Sequence, residues 1–269
     1  MIMDEVAQQI LLQSVFDNLK ILVLATARPF GLTMTFMAFG WAHLNVGVLR
    51  MVFAIAVALP VALPLISLQQ SNLPDLPYPY VLVLVKEIFI GGVFGWVASL
   101  PFAIAASSGH IIDAYRGGTS GDPDPGGGQI TPYAKLFLVM SLFLFASLNG
   151  FWILTDTIYS TYAVWPMFDA LPLQRGFEPF AIFMVLESLV SSALVIAAPL
   201  LLLMFATDLI FLLATKFGKQ INVSHLAFSV KNVVSLIMLP IMCLILIRLF
   251  KGELTHMFDV DKLLKGVLP

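Results

Sequence analysis

The stretch from Lys86 to Gly118, KEIFIGGVFGWVASLPFAIAASSGHIIDAYRGG, decides how this chain can fold. It opens on two charged residues, continues as a long apolar run interrupted by Pro101, and ends in a polar segment that contains glycine. An apolar run of about 20 residues is long enough to cross a bilayer as a helix. The stretch therefore indicates a helix that is embedded in a membrane.

The whole chain has the composition of a membrane protein. Of its 269 residues, 59% are hydrophobic and 11% are charged, and the mean hydropathy is +0.96, whereas soluble domains carry about 25% charged residues. The predicted fold class is an all-α, polytopic protein of kinked helices and helical hairpins, with six or seven spans. The apolar runs are Leu19–Phe39, Val46–Leu68, Val81–Ser108, Leu136–Leu154, Phe180–Phe217 and Val233–Phe250.

Several other classes of protein are excluded by the same sequence. No segments alternate between apolar and polar residues as an outer-membrane barrel requires, and a net charge of −2 without a basic run argues against nucleic acid as a partner. The chain has no HExxH or GxSxG motif, and its histidines are scattered singly, so no catalytic group, metal site or cofactor is predicted. The first 18 residues contain no Lys or Arg, so the first span is expected to be retained and not cleaved as a signal peptide.

Prolines and charged residues inside the apolar runs are unusual for helices that face lipid. A proline removes a helix hydrogen bond, and bare backbone is tolerated within a membrane only where it is buried in protein or faces water. Arg50, Lys86 and Arg248 could extend to the headgroups. The deeper charges are expected to be shielded by other subunits, and the predicted buried polar residues are Arg28, Glu87, Glu187, Asp208 and Lys231.

A stripe of small residues follows Glu87. If the stretch is one helix, residues at every fourth position share a face, and a face of small residues lets a second helix approach closely. The sequence leaves open whether that helix belongs to the same chain or to another subunit. The predicted packing residues are Gly91, Gly95, Ser99, Ala103 and Ser107.

The segment 109–133 is predicted to be a flexible loop, because its central part is too rich in glycine to hold a helix. Three roles remain open for it: a linker, a plug over a passage, or a ligand loop. Asp122 and Asp124 lack the further oxygen ligands of a calcium site, and no GxxxxGK sequence is present for phosphate. The candidate plug or gate residues are Asp113, Tyr115, Arg116, Gly117, Gly118, Gly121, Gly126, Gly127 and Gly128.

Taken in order, these residues resemble the export-gate membrane protein of type III secretion, the family of the flagellar FliR proteins and the SpaR, YscT and HrcT proteins of injectisomes. The resemblance covers nearly the whole chain. The glycine-rich run up to Gly128 resembles the injectisome members more than the flagellar ones. The residues that carry the resemblance are Arg28, Pro29, Lys86, Glu87, Gly91, Gly95, Gly109, Ile112, Asp113, Gly117, Asp208, Asn222 and Lys231.

This resemblance implies a non-enzymatic gate subunit in the bacterial inner membrane, within the basal body of a secretion system. The subunit would complete a helical pore with P/R-type and Q/S-type membrane proteins, and it would pass unfolded protein substrates. A U/FlhB-type switch protein is a further implied partner. Residues 1–175 would form a P-like part, with the segment after Asp113 as its plug, and residues 180–269 would form a Q-like helical hairpin.

A stand-alone secondary transporter is the alternative function. Broken helices and charges near the midplane can build a substrate site, and such transporters usually consist of two related halves. The Lys86-Glu87 pair and the glycine-rich segment have no counterpart after residue 180, which argues against this alternative. An intramembrane enzyme would need clustered catalytic groups.

Overall fold

The computed structural model describes residues 2–41, 47–69, 78–118, 121–123, 129–169, 180–217 and 223–257. Two short strands, β1 (Asp122–Pro123) and β2 (Gln129–Ile130), pair in antiparallel fashion. Everything else that is regular in the described part is helical, so the predicted all-α fold class is confirmed. The helices are α1 (Ile2–Thr35), α2 (Met37–Trp41), α3 (Gly47–Gln69), α4 (Tyr80–Ala98), α5 (Leu100–Arg116), α6 (Pro132–Ser147), α7 (Gly150–Val164), α8 (Phe180–Phe217) and α9 (Val223–Met257).

Within the described residues, four helices are long and apolar enough to cross a membrane, or five if the broken pair α6 and α7 is one span. The run Leu19–Phe39 is not among them. The helix that contains most of it, α1, ends at Thr35 and carries the charged residues Lys20 and Arg28. The four segments are Gly47–Ser67, Tyr80–Ala98, Glu187–Lys216 and Leu226–Gly252.

Two of the predicted runs are broken helices. The run Val81–Ser108 divides at Ser99 into α4 and α5. Pro101 has no N–H, and its ring excludes the carbonyl of the residue four positions earlier, so it is accommodated in the first turn of a new helix. The run Leu136–Leu154 divides just before Asn149, which has a φ of +57° in the left-handed region that Asn tolerates.

The apolar run at Phe180–Phe217 forms one uninterrupted helix. A proline inside a helix can kink or break it, but α8, which is 38 residues long, continues through Pro199. At 1.5 Å per residue its length is about 57 Å, which exceeds the hydrocarbon thickness of about 30 Å. The helix therefore extends well beyond a bilayer core.

The helices form two compact units, and each unit combines two separate parts of the sequence. The first unit comprises Met1–Ser99 and Trp152–Arg175, and the second comprises Leu100–Phe151 and Gly176–Pro269. These units, grouped by contact, differ from the P-like and Q-like parts that the resemblance implies. The two parts remain a prediction.

Each unit has its own apolar core. In the first unit α1 packs against α3 and α4. In the second unit α5 packs against α6 and α8, and α8 packs against α9. The first core includes Leu24, Ala25, Ala58, Ala62 and Val83. The second core includes Ile104, Phe137, Ile196, Leu200 and Met204.

The stripe of small residues lets α1 and α4 approach until their backbones touch. A Cβ on Gly91 would overlap the carbonyl of Arg28, and a Cβ on Gly95 would overlap the carbonyl of Leu32. Gly31 makes the reciprocal approach to α4. The helix that covers this half of the stripe is therefore in the same chain.

The other half of the stripe does not continue this face, because the helix breaks at Ser99. Oγ of Ser99 accepts a hydrogen bond from the backbone N–H of Met37 at the start of α2, with an N to Oγ distance of 2.8 Å. Ala103 and Ser107 follow on α5, where both are half-buried. A single continuous stripe over all five positions was therefore wrong, and the break at Pro101 is the reason.

We expect Gly91→Ala to destabilise the protein, because the new methyl group must push apart two backbones that cannot move aside locally. Overpacking of this kind typically costs about 1–3 kcal/mol. The measurement is the thermal unfolding midpoint of the purified chain in mild detergent. Gly47→Ala is the matched control, since a Cβ at Gly47 meets nothing within 4 Å. Equal midpoints for the two variants would contradict the close packing.

Candidate functional site

A buried ion pair links α1 and α4 at the head of the stripe of small residues. Nε of Arg28 lies 2.7 Å from Oε2 of Glu87, and the side chains of both residues are buried, with 1% and 0% of their surface exposed. The apolar surroundings screen this attraction far less than water would. Charges in such surroundings need partners because an unpaired ion there is very costly.

The remaining donors of Arg28 bind the end of α7. Its Nη1 donates to Oγ1 of Thr161 at 3.0 Å, and its Nη2 donates to the carbonyl of Trp165 at 2.8 Å. The guanidinium also lies 4.0 Å from the centre of the Tyr162 ring, in the geometry of a cation–π contact. One guanidinium thus joins α1, α4 and α7 in the first unit.

Lys86 contributes a second buried cation to this cluster. Its Nζ lies 3.1 Å from Oε1 of Glu87, as an ion-pair contact that is not aligned as a hydrogen bond. The ammonium protons instead go to the carbonyls of Met167 and Asp169, at 2.8 and 2.9 Å. Two cations and one carboxylate therefore hold the turn after α7 against α4.

Two expectations about these charges need correction. Snorkelling was an open alternative for Lys86, but its side chain is 3% exposed and points into the unit. The charges of Arg28 and Glu87 were expected to be shielded by other subunits, yet their partners are in this chain. No local sequence pattern indicates those partners, because Thr161 and Trp165 lie 133 and 137 positions from Arg28.

We expect Glu87→Gln to be strongly destabilising, because it keeps the side-chain shape but leaves two buried cations without a counter-charge. Breaking a buried pair in this way typically costs about 3–5 kcal/mol. The free energy of unfolding in mixed micelles measures the effect.

Lys20→Met is the matched control for this variant. It breaks the ion pair of Lys20 with Asp17, in which the side chains are 63% and 35% exposed, and such surface pairs are worth up to about 1 kcal/mol. A similar loss in both variants would refute the special role of Glu87.

A second buried acid, Asp113, caps a helix in the second unit. Its Oδ2 accepts the backbone N–H of Tyr133 at 2.7 Å, at the start of α6, and the Asp113 side chain is fully buried. Its Oδ1 lies 2.5 Å from Nη2 of Arg116, whose guanidinium is 4.8 Å from the centre of the Tyr133 ring. A negative charge at a helix N-terminus is stabilised by the unpaired N–H groups there.

The same residue fixes the end of α5. The carbonyl of Asp113 accepts the N–H of Gly118 at 2.9 Å, and the carbonyl of Ala114 accepts the N–H of Gly117 at 3.2 Å. Gly117 has a φ of +86°. These two hydrogen bonds, together with a glycine in the left-handed region, form the Schellman motif that ends a helix.

The predicted loop therefore begins later than expected. Residues 109–116 belong to α5, so Asp113, Tyr115 and Arg116 are helical. A Cβ on Gly109 would overlap the backbone of Ala134, which shows that this glycine serves helix packing. The missed signal is the basic residue followed by glycine at positions 116 and 117, which is typical of a helix C-terminus.

Beyond α5 the structure describes only part of the predicted plug. Gly118 and Gly121 are described, whereas Gly126, Gly127 and Gly128 lie outside the described residues. Gly121 precedes β1, and a Cβ there would lie 2.6 Å from the carbonyl of Ile130 in the paired strand. An exposed ion pair of 2.7 Å joins Asp122 to Lys135, and this hydrogen bond and positive charge lower the pKa of Asp122.

We expect Asp113→Ala to destabilise the protein more than Thr131→Ala does, although Thr131 is the residue at the N-cap position of α6. The Thr131 side chain makes no capping hydrogen bond, whereas the loss of Asp113 leaves a buried N–H unpaired, at a cost of about 1–3 kcal/mol. The free energy of unfolding of both variants tests this order. The reverse order would show that Asp113 does not cap α6.

Three polar side chains from α5, α8 and α9 meet in the second unit. Nζ of Lys231 lies 2.6 Å from Oδ1 of Asp208 and 5.1 Å from the centre of the Tyr115 ring. Burial raises the pKa of Tyr115, and so do the charge and the hydrogen bond of the neighbouring Asp208 carboxylate. Asp208 and Lys231 were predicted as buried polar residues and Tyr115 as a residue of the plug, and the fold brings the three together.

The other predicted polar residues have different positions. Glu187 and Arg248 are exposed on this chain, so burial of Glu187 would require another molecule, and its role as a buried anchor stays a prediction. Lys231 and Asp208 are partly exposed, at 15% and 36% of their side-chain surface. Within the described residues, no group of three or more His, Cys, Asp or Glu could hold a metal ion.

Comparison with known proteins places these features in a family. Residues 19–257 match the model of the bacterial export proteins, family 1. The chain belongs to this family. The family and the four to five apolar helices make it a multi-pass protein of the bacterial inner membrane.

Individual relatives agree with this assignment. The chain is 28% identical to the Yop proteins translocation protein T of Yersinia pestis over 193 residues, 71% of this chain and 74% of that protein. It is 28% identical to the surface presentation of antigens protein SpaR of Shigella sonnei over 196 residues, 72% and 75% of the two chains. Identity to the flagellar biosynthetic protein FliR of Bacillus subtilis is 29% over 169 residues, 61% and 64% of the two chains.

The resemblance predicted from the sequence is thereby confirmed as family membership. The YscT-type and SpaR-type relatives align over a larger share of this chain than the flagellar one does, as the prediction of an injectisome type expected.

Proposed function

We propose that this bacterial export protein is a structural and gating subunit of a type III secretion export gate. Its family is one of export proteins, and two of its relatives are named for the translocation of Yop proteins and the surface presentation of antigens. The role is non-catalytic: the subunit lines a passage for unfolded substrate and helps to close it.

The observation that supports gating best is the way in which the two helix ends beside the glycine-rich segment are held. The helix that precedes it ends in a Schellman turn, and the helix that follows it is capped by Asp113 of that same preceding helix. Both ends of the segment thus start from the same well-packed point, and the sequence predicts a flexible segment between them. A tethered segment of this kind suits a plug that moves aside and returns.

The assembly forms the second part of the proposal. Many apolar side chains on α8 and α9 are exposed on the single chain, including Leu202, Ile210, Leu236 and Leu244 at 66–69%. Partner membrane subunits of the P/R and Q/S types, together with lipid, would cover such surfaces, and a U/FlhB-type switch protein is a further partner. In this proposal residues 1–175 are the P-like part and residues 180–269 the Q-like part.

Deletion of residues 117–128 in the assembled secretion system tests this function. We expect ion leakage across the inner membrane or unregulated secretion, because the passage loses its plug. Membrane potential and secreted protein are the measurements, with co-purification of the partner subunits to show assembly. A variant with Ser at positions 126–128 is the control, because it keeps the length of the segment and adds only small side chains, so we expect the passage to remain closed.

Other outcomes of this deletion decide between the remaining roles. A normal potential and normal secretion in an assembled system would mean that the segment is a linker. Loss of solute uptake with no effect on secretion would favour the stand-alone transporter.

A further inference from the structure

The last turn of α5 is held from two sides in the second unit. On one side Asp113 and Arg116 contact α6, as described above. On the other side the Tyr115 side chain meets Asp208 of α8 and Lys231 of α9. The first set of contacts caps helices, which any stable helical hairpin needs. The second set is not required for capping, so it needs a separate explanation.

The contact with α8 and α9 lies directly before the glycine-rich segment. Tyr115 is two residues from Gly117, the left-handed glycine that ends the helix. A Cβ on Gly117 would lie 3.5 Å from the ring of Phe228, which is on α9 one turn before Lys231. Gly117, the first residue of the segment, therefore lies against α9 of the α8–α9 pair.

The charges of this contact hold the end of α5 on the α8–α9 pair without making the contact permanent. Asp208 and Lys231 lie inside candidate membrane spans, where their 2.6 Å pairing is screened less than in water. Tyr115 adds a hydroxyl to the carboxylate and a ring face to the ammonium, which joins α5 to that pair. The Tyr115 side chain is 37% exposed, so the contact can separate without opening the apolar core.

We infer that Tyr115, Asp208 and Lys231 form a clasp that holds the end of α5, with Gly117 and Gly118, on the α8–α9 pair and thereby controls the movement of the proposed plug. The inference rests on the proposed gating function and adds positioning residues to it. Release of Tyr115 from the ion pair would leave the end of α5 held only by its contacts with α6, and the Schellman turn would open more often.

Hydrogen exchange of the purified full-length chain tests the clasp itself. The N–H groups of Gly117 and Gly118 are hydrogen-bonded in the closed turn, so their exchange reports its opening. We expect Asp208→Asn and Lys231→Gln each to speed this exchange about fivefold or more, the effect of losing roughly one moderate interaction.

Two further variants keep the test valid if either single change disturbs the fold. Tyr115→Phe retains the ring and removes only the hydroxyl, and we expect a smaller increase in exchange. The exchanged pair Asp208→Lys with Lys231→Asp restores an ion pair, and we expect it to recover part of the protection. Lys216→Gln is the matched control, because it removes an exposed positive charge from α8 and should leave exchange unchanged.

The membrane potential of cells that carry the same variants in the assembled system tests the consequence for gating. We expect leakage to follow the exchange rates, with Asp208→Asn and Lys231→Gln leaky and the exchanged pair tighter than either. Unchanged exchange in both single variants would overturn the clasp, whether or not deletion of residues 117–128 causes leakage.

Faster exchange without leakage, in a system where the deletion does leak, would overturn the link between the clasp and the gate. If the deletion itself causes no leakage, the proposed function fails, and the exchange data still decide whether the clasp exists.

Discussion

The ion pair between Arg28 and Glu87 is the interaction on which the first unit depends. Glu87, Gly91 and Gly95 are spaced by four residues and so share one face of α4. The two glycines bring the backbones of α1 and α4 into contact, and Glu87 at the head of the face then reaches Arg28. Close packing and charge pairing therefore require each other: without the glycines the ions would be too far apart, and without Glu87 a buried guanidinium would lack its counter-charge.

The second unit repeats this arrangement on α5. Gly109 and Asp113 are also four residues apart, and both face the first turn of α6. The glycine lets the helices approach, and the acid one turn later satisfies a backbone N–H that α6 cannot satisfy itself. In both units a small residue and a carboxylate act together, with the order reversed along the helix. This combination places polar groups inside an apolar protein while giving each of them a partner.

The fixed end of α5 meets the predicted flexible segment at Gly117. Before it, α5 is fixed by Asp113 and Arg116 to α6 and by Tyr115 to the α8–α9 pair. After it, the chain contains the glycines from which a flexible segment is predicted. The proposed plug would need both properties, because a flexible segment attached to a loose helix end would not return to one position. From the sequence, the start of that segment is predicted at residue 109, because the stretch as a whole is rich in glycine, aspartate and proline. Only the contact with Ala134 shows that the glycine at 109 belongs to a helix interface.

The sequence by itself determined that this is a helical membrane protein, which charges are unusual, and which family it resembles. The first two conclusions follow from composition and local order, which need no knowledge of distant contacts, and the resemblance rests on the identity of particular residues. The tertiary structure decided where the helices break and which groups pair with the buried charges. Arg28 binds residues 59, 133 and 137 positions away, and no local pattern specifies such partners because they depend on how helices cross. The same holds for Tyr115, Asp208 and Lys231, three separate residues in the sequence that become one contact only when α5, α8 and α9 pack together.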